Sequence, residues 1–236
     1  MDVMEELEEL RLKGIVGKPD DGFFDLLNKQ EELHDDLKNY VSAGKVFMQL
    51  HHPLIIKVPY NEQDNATINA QYQYKLDDLK HWASHRMWSR YVGVYERPYR
   101  LEAFMEIADK TCPWEYWEIA GWLWTDTENQ WQNLSEWQEI LSSSKGWEED
   151  FMTDDERVFK RSLPDEVEIY RGCFKGINEN GLSWTLDEGI AEIFCQHKFY
   201  KREDDWEPVI LSQTVRKADI FAVKLGRKES EVILKP

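Results

Sequence analysis

The stretch "GLSWTLDEGIAEIF", residues 181–194, decides how the second half of the chain is read. Gly181 opens a short β-type run through Ser183, Trp184 and Thr185, and the pattern then turns helical. Asp187 stands at the change, where a side-chain oxygen can cap the first free N–H groups of a helix. A strand feeding directly into a helix has further strand-like runs on both sides of it. Upstream, "DEVEIYRGCF" (165–174) reads as a strand. Downstream, "EPVILSQTV" (207–215) and "ADIFAVKL" (218–225) read as strands, "GRK" (226–228) as a turn, and "ESEVIL" (229–234) as a closing strand.

Ahead of this β-rich end the texture is helical. "RLEAFMEIADK", "PWEYWEIAGWLW", "LSEWQEILSSS" and "TDDERVFKRSL" each carry helical periodicity between residues 100 and 163. Pro113 suits a first helical turn, and Thr153 with Glu156 three residues on predicts a capping box. Residues 1–45 also look helical: Leu7 and Leu10 lie at helical spacing before Gly14 and Pro19. Phe23, Leu26, Leu27, Leu33, Leu37 and Val41 form a second stripe. "KVFMQLHHPLIIKVPY" (45–60) predicts a strand or hairpin, "NEQDNATINA" (61–70) a polar loop, and Tyr72–Tyr91 a helix with Leu76, Leu79, Trp82 and Met87 roughly on one face. No 20–50-residue repeat is present, which excludes a solenoid. The fold class expected is α+β, with a mainly helical region over 1–95, a helical lead-in over 96–164 and a β-rich core over 165–236.

The 236 residues carry a net charge of −17, and between Leu101 and Glu168 there are 18 acids against 5 bases. Phosphate contact depends on Lys and Arg, so this balance argues against general DNA or RNA binding. Seven of the eleven tryptophans (Trp114, Trp117, Trp122, Trp124, Trp131, Trp137 and Trp147) crowd the same segment. They read first as an aromatic core of packed helices, with a partner-binding surface as the alternative. The three cysteines (Cys112, Cys173, Cys195) are odd in number and lack paired spacing, which suits reduced intracellular thiols. The opening "MDVMEELEEL" lacks signal-peptide character and no run approaches membrane-span length, so a cytoplasmic protein without a membrane partner is expected. His81 and His85 stand at a metal-capable spacing, but no third ligand accompanies them, and His51-His52 has no better case; no metal is expected.

Three short words carry the chemistry. Tyr170-Arg171-Gly172 ends one strand, Ser183-Trp184-Thr185 forms another, and Glu229-Ser230-Glu231 opens the last. Within a strand, Glu229 and Glu231 share a face because side chains alternate with period two. Like charges so close raise each other's cost of ionisation.

In this order and spacing the words resemble the Arg–Ser–Glu class of mono-ADP-ribosyltransferases, the family of the cholera-toxin-like and clostridial iota-like enzymes, and look closest to small bacterial and phage transferase domains. The likeness covers about 65 residues and extends weakly back to about residue 98; residues 1–95 carry no such likeness. The resemblance implies a split β-sandwich binding NAD, as substrate and without metal, in a central cleft. It further implies that ADP-ribose passes to a macromolecular acceptor and that nicotinamide is released. Arg171 would then meet the pyrophosphate, for which a guanidinium fork is suited. Gly172 would leave room for the nicotinamide amide. Glu231 would stabilise the ribose cation forming in the transition state, Ser183 would orient Glu231, and Thr185 would help hold its strand. Glu229 would take the acceptor's proton, and Phe194 or Phe199 would wall the nicotinamide. The family usually shows Ser-Thr-Ser where this chain has Ser-Trp-Thr, so Trp184 departs from the pattern and also fits a core position. The loop before Glu229 is only "GRK", which leaves acceptor recognition to other parts of the chain. Protein arginine is the favoured acceptor; Arg227 and Lys228 would suit RNA instead. A toxin or phage-defence setting with a neutralising antitoxin or immunity partner is what such an activity implies. The alternatives are an inactive transferase-like binding protein and an NAD glycohydrolase.

Overall fold

A computed structural model of the chain describes residues 29–127, 130–196, 206–226 and 229–236. The chain divides into two compact units, Met1–Tyr99 and Arg100–Pro236. Among the described residues there are eight α-helices and two antiparallel sheets, which makes the fold mixed α+β.

In the first unit a short helix α1 (Asp35–Lys38) leads into strands β1 (Val41–Ala43), β2 (Met48–His52) and β3 (Ile55–Pro59), paired in that order. Helices α2 (Asn65–Ser84) and α3 (Trp88–Val94) follow. Leu33, Leu37, Leu50, Leu54, Ile55, Ile68, Tyr72 and Val94 form its core, with Leu76, Leu79 and Trp82 packed against them.

Three expectations need correction here. Val41 belongs to a strand, so the helical reading of residues 1–45 fails at its C-terminal end; residues 1–28 lie outside the described residues. The polar run 61–70 is largely the start of α2. Its asparagines bind another chain segment: Asn65 Nδ2 donates to the Glu31 carbonyl (3.0 Å), and Asn69 Nδ2 to the Glu32 carbonyl (2.8 Å). The helix expected over 72–91 is two helices, broken where Arg86 takes a left-handed φ of 54°. Met87 sits in that break and is exposed. His52 is a buried core residue whose Nδ1 accepts from the Leu54 N–H, and His85, which caps the C-terminus of α2, has its Nδ1 2.8 Å from the His81 carbonyl.

The second unit begins with helices α4 (Arg100–Ile107), α5 (Pro113–Asp126), α6 (Leu134–Leu141) and α7 (Asp154–Ser162). Pro113 opens α5, and Thr153 caps α7 in the expected box with Glu156. Trp117, Trp124 and Trp137 are fully buried with Phe104 and Phe151, whereas Trp114, Trp122, Trp131 and Trp147 are exposed. The tryptophan-rich segment is therefore part core and part surface.

Strands β4 (Glu166–Phe174), β5 (Ser183–Thr185), β6 (Pro208–Arg216), β7 (Ile220–Lys224) and β8 (Glu231–Leu234) form one antiparallel ladder in the order β6-β4-β5-β8-β7. Helix α8 (Glu188–Gln196) packs on β4. Asp187 caps it, accepting from the Gly189 and Ile190 N–H groups. The ladder is uneven. β4 pairs with β6 along its whole length, Glu166↔Arg216 to Phe174↔Pro208, but with β5 only at Tyr170↔Thr185. From Arg171 onward β4 has a strand partner on one side alone, and a cleft opens beside it.

Candidate functional site

That cleft is a cavity whose wall includes Arg171, Ser183, Thr185, Lys224, Glu229 and Glu231, with Tyr170, Gly172, Phe174, Phe194 and several indoles completing it. Three segments distant in sequence are joined here by consecutive hydrogen bonds. Arg171, only 8% exposed, donates from Nε to the Asn178 carbonyl (3.0 Å) and from Nη1 to the Ser183 carbonyl. Ser183 Oγ donates to Glu231 Oε1. These carbonyl partners fix the plane of the guanidinium fork.

Gly181 explains how the fork reaches this position: a Cβ there would collide with the guanidinium. Gly172 has a packing role in addition. A Cβ on it would strike the Ala191 carbonyl and crowd the Cys195 N–H, so its missing side chain admits helix α8. Its own backbone borders the cavity.

The strand register sets the surroundings of Glu231. On one side it pairs with Thr185, on the other with Lys224, so all three side chains stand on the same sheet face. Thr185 Oγ1 donates to the Glu229 carbonyl (2.7 Å), and the Leu186 N–H donates to the Ser230 carbonyl (3.2 Å). Thr185 thus fixes the segment entering β8.

Glu229 itself is not in a strand. β8 starts at Glu231, and Ser230 has a left-handed φ of 45°. Period-two alternation is therefore the wrong reason for placing the two carboxylates together, although both line the same cavity.

Two residues without a site role in the sequence reading touch this corner. Trp124 Nε1 donates to Glu231 Oε1 at 3.1 Å, so one carboxylate oxygen accepts from both Ser183 and Trp124. No donor among the described residues is bonded to Oε2. Lys224 is buried; its Nζ donates to the Phe151 carbonyl (2.6 Å) and to Glu156 Oε2 (3.4 Å). Neither had a sequence signal: Trp124 is one indole among many, and Lys224 ends a strand like any edge lysine.

Burial pushes the Glu231 carboxyl above the ordinary carboxylate range, and Glu229 adds to the rise. Hydrogen bonds from Ser183 and Trp124 and the Lys224 charge oppose it. Burial also pulls Lys224 below the usual ammonium range, against the attraction of Glu156 and Glu231.

Phe194, half-buried on α8, borders the cavity. Trp184 is buried and donates from Nε1 to the Gly181 carbonyl (3.0 Å), in keeping with a core position. The Trp137 indole N–H, also at this cavity, is buried without a hydrogen-bond partner among the described residues. Phe199, Arg227 and Lys228 lie outside the described residues. Among the described residues no group of His, Cys, Asp or Glu is arranged to hold a metal ion, and no helix is long and apolar enough to cross a membrane. Cys173 and Cys195 are buried free thiols and Cys112 an exposed one. Comparison with protein-family models, with curated proteins and with solved structures gives no significant match to this chain.

Proposed function

We propose that the chain is a mono-ADP-ribosyltransferase that uses NAD as substrate and passes ADP-ribose to a macromolecule, protein arginine in the first instance. The single observation that carries the reading is the hydrogen-bonded series Arg171–Ser183–Glu231 along one cavity wall, with Glu229 beside it. A dinucleotide needs a cation for its pyrophosphate and flat apolar surfaces for its rings, and this cavity offers Arg171 and aromatic walls. On the same reading, the β6-β4 and β5-β8-β7 parts of the ladder, joined at one residue pair, correspond to the two halves of a split sandwich.

The chemistry follows from charge. As the C1′–N bond to nicotinamide breaks, its electron pair leaves with the ring and the ribose becomes cationic. Glu231, fixed through Oε1, presents a carboxylate to that cation. The acceptor's nitrogen forms the new bond to C1′, and Glu229 takes the proton that the nitrogen loses. A guanidinium hardly ever loses its proton alone, so a carboxylate close to the bond being made is what an arginine acceptor requires.

The test is incubation of the protein with adenylate-labelled NAD and cell lysate, reading nicotinamide release and label transfer together. Label on protein is expected. Glu231→Gln is expected to lower nicotinamide release by at least about 10²-fold while NAD still binds. Glu229→Ala is expected to abolish transfer and spare slow hydrolysis. Label on RNA would change the acceptor, release without any labelled acceptor would make the protein a glycohydrolase, and no release at all would leave a binding protein.

A further inference from the structure

The feature of this cavity that the reaction above leaves unused is a buried cation. Lys224 is the register partner of Glu231 across β7 and β8, and both line the cavity. Directly opposed residues in an antiparallel pair carry their side chains on one face with Cβ atoms about 4.5–5.5 Å apart. Yet the Lys224 ammonium is bonded elsewhere. It points to the Phe151 carbonyl and to Glu156, and lies 4.7 Å from the centre of the Phe151 ring.

Glu156 is itself fully engaged. Oε2 accepts from the Thr153 N–H (2.9 Å) in the cap of α7, and Oε1 accepts from the Leu225 N–H (3.1 Å) at the end of β7. A capping-box glutamate is ordinarily a surface residue serving its own helix. This one is buried and anchors a lysine beside the site. A buried ion pair is a poor source of stability, because desolvation offsets most of the attraction. Its presence here calls for a role in the site.

We propose that Lys224 is a positioning residue for Glu231: Glu156 and the Phe151 carbonyl hold its ammonium at a fixed place beside the carboxylate, where it favours the charged form without occupying either carboxylate oxygen. The division of labour is then consistent. Ser183 and Trp124 take Oε1 and fix the direction of the side chain. Lys224 supplies charge from the neighbouring strand, and Oε2 stays available to a ligand. Among the described residues, the charged groups facing this corner are Glu156 from α7, Glu229 from the segment before β8 and Arg171 from β4. Lys160, also from α7, is turned to the Phe221 carbonyl farther along β7.

The role assigned to Lys224 rests on the transferase reading, but its test does not need turnover. The side-chain carboxyl carbon of Glu231 is followed by ¹³C NMR against pH, assigned by the signal lost in Glu231→Gln. Lys224→Met removes the charge and keeps the length, so the Glu231 midpoint is expected to rise by about one pH unit, tenfold in the ionised fraction, the low end of the effect of one nearby opposite charge. Glu156→Gln removes the charge that offsets the ammonium, and the midpoint is expected to fall. A purely structural Lys224 predicts another pattern: both variants loosen the corner, admit water and let the midpoint drift down together. A midpoint unchanged or lowered in Lys224→Met overturns the proposal. If Lys224→Met does not fold, Lys224→Gln and Glu156→Gln decide by the same signs. In an active enzyme the acid limb of the kcat/KM profile moves with the midpoint. A wild type that never releases nicotinamide sinks the transferase reading and leaves the titration standing. An active wild type whose midpoint ignores Lys224 sinks the positioning role alone.

Discussion

Trp124→Phe tests the link between helix α5 and the site. The phenyl ring keeps most of the packing against Trp137, whose ring centre lies 4.9 Å away, and against Phe151 at 6.2 Å. What is lost is the N–H, the donor to Glu231 Oε1 at 3.1 Å, together with the rest of the five-membered ring, whose packing cost does not depend on pH. A hydrogen bond to a charged group is worth about 1.5–3 kcal/mol and to a neutral one about 0.5–1.5 kcal/mol. The cost therefore depends on the protonation of Glu231. Its folded value is raised by burial, so its titration favours the fold most below the unfolded carboxylate value of about 4.3, and that contribution is lost as pH rises through the raised value. Without the Trp124 donor the folded value rises further and the loss at high pH deepens. Urea unfolding read by far-UV circular dichroism is expected to show Trp124→Phe destabilising by about 1 kcal/mol more at pH 8 than at pH 4, on top of a packing loss common to both. In a Glu231→Gln background the same substitution is expected to cost the same at both pH values. An equal loss at pH 4 and pH 8 in the wild-type background would refute the reasoning, because the energy would then lie in ring packing.

Gly172→Ala is expected to destabilise the second unit by about 1–3 kcal/mol in urea unfolding, because the new methyl meets the Ala191 carbonyl and the Cys195 N–H, both backbone atoms of α8 that cannot swing aside. Gly181→Ala meets movable side-chain ends, those of Arg171 and Asn178, so its expected effect is on the site: on the transferase proposal, NAD affinity weakened about tenfold or more in calorimetry, the scale of one charge-assisted hydrogen bond, with less than about 1 kcal/mol of stability lost. Thr153→Ala removes the cap on the Glu156 N–H and is expected to cost about 1 kcal/mol in thermal unfolding.

The β-rich end was legible in the sequence because its strands are rich in β-branched and other apolar residues and bounded by turn residues, and because Asp187 marks where strand gives way to helix. Arg171, Ser183, Thr185, Glu229, Glu231 and Phe194 do meet at one cavity, an arrangement readable only through the resemblance of three separated words. Composition misled where polar side chains serve other chain segments: Asn65 and Asn69 look like loop residues but hold the Glu31–Glu32 backbone against the first turns of a helix. Alternation misled at Glu229, since one left-handed residue, Ser230, detaches it from the strand.

The residues left unread share a physical cause. A sequence pattern reports what a residue does within its own element, whereas Trp124, Glu156 and Lys224 act across elements. Trp124 satisfies the periodicity of α5, Glu156 the cap of α7 and Lys224 the end of β7, so each already has a complete local explanation. Only the register that sets β7 beside β8 brings Lys224 opposite Glu231, and only the packing of α5 and α7 around that edge delivers the other two. The charged form of Glu231, opposed above all by burial, is on this proposal favoured by Trp124 and Lys224 besides Ser183, with Glu156 holding Lys224 in place. If it is, Trp124→Phe and Lys224→Met each raise its midpoint, and the double variant raises it by the sum, since the two act through different atoms. A double variant no higher than either single one would mean that both simply keep the corner dry, and the separate roles given to donor and cation would fall together.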